Sequence, residues 1–230
     1  MSNSIANLAG AGAAVILLLL LSSVGSIITY VIIVVANRAD PDPTGKRPMA
    51  VYFFGGAFLT LWIAYLGLIV VVVSLVNLIG TNVSFASGQH PVGDAAVRGV
   101  SVGLIFFVVA GYAHYLHRRR GLELAASESD PASPTKRVAR SYVAVVSFVA
   151  TVITIVMSFA FIYTLLALIA PGIFHGGNST TMAKGLLVEA FVLCLAGLIF
   201  WSHQSLAPGA LRLFVSKDPV VHTDVVSMPE

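Results

Sequence analysis

Apolar residues in this chain gather in five unbroken blocks, at 8–36, 49–80, 99–116, 141–170 and 185–201. They follow neither the stripe of a water-soluble amphipathic helix nor the strict alternation of a barrel strand. A helix needs about 20 residues to cross a hydrocarbon layer of about 30 Å, so each block is long enough to span a membrane. The first, second and fourth run well past that length and predict tilt or extension into the headgroups; the third and fifth sit near the lower limit. Inside the blocks the sole charged side chain is Glu189. The pattern predicts an all-α membrane protein with five transmembrane helices.

The segments between blocks alternate in charge. Arg38, Lys46 and Arg47 separate the first two blocks; Arg118, Arg119, Arg120, Lys136, Arg137 and Arg140 separate the third and fourth; Arg212 and Lys217 follow the fifth. Arg98 and Lys184 fall on the opposite side, each at a helix start. The positive-inside rule then predicts a multi-pass protein of the cell membrane with its N-terminus outside and its C-terminus cytoplasmic. Composition points the same way: 57% of residues are hydrophobic and 10% charged, against roughly 45–50% and about 25% in soluble domains. A formal net charge of +3 is too small to indicate a nucleic-acid partner. One cysteine, Cys194, excludes an internal disulfide or a cysteine-ligated metal domain. Residues 1–10 carry no Lys or Arg, so the first block is expected to be a retained helix and not a secretory signal.

A repeat runs through the last four blocks. A shift of 90 positions superposes Lys46 and Arg47 on Lys136 and Arg137, Tyr52 on Tyr142, Phe58 on Phe148 and Leu75 on Leu165. Past the outer loop, a shift of 86 superposes Arg98 and Gly99 on Lys184 and Gly185, Ala110 and Gly111 on Ala196 and Gly197, and His117 on His203. Each copy is a long helix, an outer loop and a short returning helix, so the repeat is parallel and implies a pseudo-twofold axis along the membrane normal. The expected layout is an N-terminal helix and linker (1–45), a first helix pair (46–120), a flexible cytoplasmic linker (121–135), a second helix pair (136–204) and a cytoplasmic tail (205–230).

The second copy opens with a basic residue, then Tyr142, then the pair Ser147 and Phe148; its short helix ends in Trp201 and His203. In the first copy Ala57 replaces the serine. On these residues the chain resembles an uncharacterised family of bacterial integral-membrane domains of unknown function. The resemblance covers 46–203 and implies a membrane helix bundle; it brings no activity, substrate or cofactor.

Candidate chemistry is sparse. An ionisable residue within a span suggests an ion or proton site, which singles out Glu189; near a helix N-terminus it can equally be an interfacial, hydrogen-bonded carboxylate. Its counterpart in the first copy is Gly103, so the charge is not duplicated. His117 and His203 end the two short helices, with His114 one turn before His117, and facing imidazoles between helices can ligate haem iron or another metal. His90, Asp94 and His175 offer N and O donors on the outer side, without the compact spacing of a zinc motif. Small residues at Gly55, Gly56, Gly111 and Gly197 are expected to let helices approach closely. No P-loop, nucleophile elbow or dinucleotide-binding glycine pattern is present. These features predict a protein that is not an enzyme: an accessory or interaction subunit of a membrane complex, partnered by lipid and by another membrane protein or further copies of itself. The alternatives are a small transporter or channel, with Asn77, Thr60, Thr151 and Thr154 as lining groups and Glu189 near the path, and a bis-histidine haem protein.

Overall fold

The computed structural model describes residues 41–81, 91–174 and 178–205. The first predicted span, His90 and His175 lie outside them. The described residues form helices α1 (Arg47–Leu78), α2 (Pro91–Ala126), α3 (Pro134–Ile169), the single turn α4 (Pro171–Phe174) and α5 (Ser179–Ser205). Four of these, α1, α2, α3 and α5, are long and apolar enough to cross a membrane.

Local chemistry sets the helix ends. Asp42 accepts a hydrogen bond from Arg47 N at 3.1 Å, occupying a backbone donor that the first turn cannot satisfy. Gly80, at φ 73°, turns the chain out of α1 through a left-handed conformation that a side chain would disfavour. Ser133 caps α3 through Lys136 N, with Pro134 at its first turn, and Pro171 follows its end. Asn178 accepts from Thr180 N at 2.9 Å to start α5.

Packing is pairwise. α1 lies against α2 and α3 against α5, and the pairs meet through α1, which also touches α3 and α5; α2 touches α3. The core combines Phe54, Phe58, Trp62 and Tyr65 of α1 with Val138, Tyr142, Val146 and Ala150 of α3 and Val192 and Ile199 of α5. Phe54 and Tyr142 rings lie 5.2 Å apart, and Trp62 stands edge-on to Tyr65 at 5.4 Å. The perimeter is just as apolar: Val109, Phe148, Phe159 and Ile169 are all exposed. A bundle with apolar side chains on both its inside and its perimeter requires lipid as its solvent. The protein is therefore a polytopic, all-helical membrane protein.

Two expectations change. Of the glycines expected to give close approach, Gly56 does so against His117 while Gly111 and Gly197 face open space; the helix backbones meet instead at Gly67 and Gly103, where a Cβ on either would meet the other's backbone within 3 Å. The stretch 121–135 is folded and not a free linker. α2 runs on to Ala126, supported by Arg119 pairing with Glu123 at 2.8 Å one turn on. Gly121 lies under the Phe54 ring, Ala125 and Thr135 are buried, and Glu128 pairs with Lys46 at 2.9 Å. Hydropathy marks only the lipid-depth part of such helices; side-chain pairing carries them further.

Candidate functional site

The described polar groups concentrate at the end of the bundle where α1 and α3 begin and α5 finishes. His203 Nδ1 lies 2.9 Å from Ile199 O, one turn back on α5. A carbonyl only accepts, so Nδ1 carries the proton and Nε2 holds the lone pair, which receives the Tyr142 hydroxyl at 2.9 Å. Both side chains are buried. His114, from α2, donates through Nδ1 to Ala57 O of α1 at 2.8 Å, and its ring lies 6.1 Å from that of His203. Beside them Gln204 donates to Ser147 Oγ at 2.7 Å, joining α5 to α3.

Of the three predicted histidines the structure brings two together. His117, one turn further along α2, also packs on α1: its Nδ1 lies 2.8 Å from Ala113 O and its ring sits against Gly56 and the rings of Tyr52 and Phe53, away from His203. A haem between His114 and His203 would have to displace Tyr142 from Nε2 and part a seam in which His203 is 3% exposed. The residues as packed do not suit it.

Glu189 belongs to a separate place, toward the opposite end of α5. Its Oε1 accepts from Thr164 of α3 at 3.0 Å, and its buried Oε2 has no hydrogen-bond partner among the described residues. A turn earlier Lys184 donates to Ile79 O at 2.7 Å, fastening α5 to the end of α1. The hydroxyls expected to line a path with Glu189 are occupied on their own helices: Thr60 with Gly56 O at 2.6 Å, Thr151 with Ser147 O at 2.8 Å and Thr154 with Ala150 O at 2.8 Å. Asn77 is exposed. Asp94 sits in the first turn of α2, and among the described residues no three His, Cys, Asp or Glu side chains gather as a metal site.

Positions offset by 90 and 86 residues make similar contacts. Tyr52 meets His117 at 5.7 Å and 55°, and Tyr142 meets His203 at 5.6 Å and 59°. Gly99 packs on Ser74, and Gly185 on Thr164. The surroundings differ: Tyr142 is 2% exposed and Tyr52 62%. A twofold axis would give the two tyrosines the same environment, so the described pairs do not meet through matching faces. Sequence reasoning missed the Tyr142–His203 bond, although the co-occurrence of tyrosine and histidine at repeat-related positions was its signal. Comparison with protein-family models, curated proteins and solved structures gives no match.

Proposed function

We propose that this protein is a non-catalytic accessory or interaction subunit of a membrane complex, built from two parallel helix pairs with 8–36 as a further span. The observation that carries the reading is the filling of the interior. Aromatic side chains of α1 occupy the seam between the pairs, and the hydroxyls of Thr60, Thr151 and Thr154 are turned onto their own backbones. A translocation path needs polar groups facing a common space.

The matched Tyr–His and Gly–hydroxyl contacts support the repeat. Lys46 and Arg47, Arg118–Arg120 and Lys136–Arg140 share one end of the bundle, which supports a cytoplasmic location for that end. The resemblance to bacterial membrane domains of unknown function fits this architecture and adds no chemistry.

Isolation in mild detergent, followed by native mass measurement, tests the role. A stoichiometric partner or a defined multimer of this chain is expected; a clean monomer that binds a small solute saturably overturns it. The unpartnered Oε2 of Glu189 favours one second reading, a small transporter with Glu189 at its path. Flux in proteoliposomes that is abolished in Glu189→Gln supports that reading, and flux that survives the substitution unchanged removes it.

A further inference from the structure

We infer that copies of this protein associate head to tail, the open face around Tyr52 of one copy receiving the Phe148 edge of the next. The inference rests on the helix-pair repeat proposed above. Within one chain two surfaces are buried where the pairs meet. One is the edge of the first pair, formed by Phe54, Phe58, Trp62 and Tyr65 on α1; the other is the front of the second, formed by Thr135, Val138, Ala139 and Tyr142 on α3. Phe54 and Tyr142 touch across the seam.

Shifted by 90 positions, each surface has a twin that no described residue covers. The twins of the front are Gly45, Pro48, Met49 and Tyr52, all exposed. On the edge, Phe148, Val152 and Ile155 take the places of Phe58, Trp62 and Tyr65 and are exposed, Phe148 at 68% where Phe58 is at 5%. Ala144, the twin of Phe54, is half-buried. The Tyr52–His117 pair reproduces the ring geometry of Tyr142–His203, but its ring neighbour is Phe53 of the same helix and Tyr52 stays 62% exposed, where Phe54 of another helix helps to bury Tyr142 to 2%.

Each chain thus contains one closed joint and the two unmatched halves of another. Two different surfaces that fit each other make a heterologous interface, which closes into a ring if the rotation allows and otherwise extends. Lipid already solvates apolar side chains, so close packing has to drive such an association. The internal joint supplies the packing template: aromatic residues of one long helix laid against the tyrosine face of the next.

The test uses the full chain in native membranes, with Cys194→Ala removing the natural thiol. Tyr52→Cys and Ala144→Cys, at the twins of Tyr142 and Phe54 that touch across the internal joint, are made singly and together, oxidised, and resolved by denaturing electrophoresis. Tyr52 is exposed and Ala144 is small and half-buried, so the variants keep the fold. The double variant is expected to give a ladder of dimers and higher multimers, and each single variant only monomer. A double variant that stays monomeric overturns the inference, as do dimers from a single variant, which would mean matching faces. A crosslink from Tyr52→Cys to a cysteine placed within 8–36 of the same chain, replacing the ladder, assigns the face to that segment and overturns it too. Two internal pairs separate this from the repeat itself: Ser74→Cys with Gly99→Cys, and Thr164→Cys with Gly185→Cys. If both close and the ladder is missing, the repeat stands and head-to-tail association falls; if only one closes, the repeat falls with it.

Discussion

Alanine at Gly67 or Gly103 should weaken the α1–α2 pair, although alanine is the better helix former. A Cβ at Gly67 would lie 2.7 Å from Phe107 N and 2.9 Å from Gly103 O; one at Gly103 would lie 2.7 Å from Gly67 O and 2.9 Å from Val71 N. These neighbours are backbone atoms and cannot swing away, so the helices must separate along the crossing. Overpacking of this kind costs about 1–3 kcal/mol, and the alanine returns about 0.8–1 kcal/mol of helix propensity. The net expectation is a loss of up to about 2 kcal/mol for each variant, with the double variant less than additive because the two sites share one contact. Gly111→Ala and Gly197→Ala are the internal controls: nothing lies within 4 Å of either Cβ, so these should be neutral or gain up to about 1 kcal/mol. Reversible unfolding in mixed micelles, followed by tryptophan fluorescence, measures all four. If Gly67→Ala and Gly103→Ala prove as stable as the controls, the backbone contact does not hold the pair together and the reasoning fails.

Tyr65 is buried with its hydroxyl unpartnered among the described residues, so Tyr65→Phe should raise stability by about 1 kcal/mol in the same assay; a loss of that size would mean a polar cavity where a packed seam is described. Tyr142→Phe should cost about 1–3 kcal/mol by stranding the buried Nε2 of His203, whereas Tyr52→Phe, on the open face, should stay within about 0.5 kcal/mol. Lys46→Met removes the cation beside Glu128; with the lysine side chain 35% exposed the stability change should be about 1 kcal/mol or less. Its clearer readout is faster proteolytic cutting between Ser127 and Ala132.

Much of the architecture was legible because lipid imposes a simple rule: wherever a backbone crosses the hydrocarbon layer it must be helical and apolar. The blocks at 99–116 and 185–201 fall within helices of the structure, and those at 49–80 and 141–170 overrun theirs by two residues and one residue. What hydropathy could not reach was helix extent. Arg119, Glu123 and Gly121 look like loop residues by composition, yet they continue α2 through side-chain pairing and contact with Phe54. The candidate histidines were legible by type and by repeat position, but their partners were not. Whether His114 or His117 faces His203 depends on how α2 is rotated against α1, and in a helix apolar on every side no stripe reports that rotation. Glycines posed the same difficulty: the one that touches a neighbour and the one that faces open space read alike in sequence.

The ion pair between Lys46 and Glu128 has a practical corollary for anyone wishing to dissect this molecule. Polar connections between hydrophobic segments are the usual places to splice in a reporter, cut a gene into co-expressed halves or permute the termini. Here that connection is a clasp: Lys46 also bonds Ser127 at 3.1 Å, and Thr135 just beyond is fully enclosed. An insertion between 127 and 133 would pry the start of the first long helix away from the return of the second, so grafts intended as silent would behave as lesions.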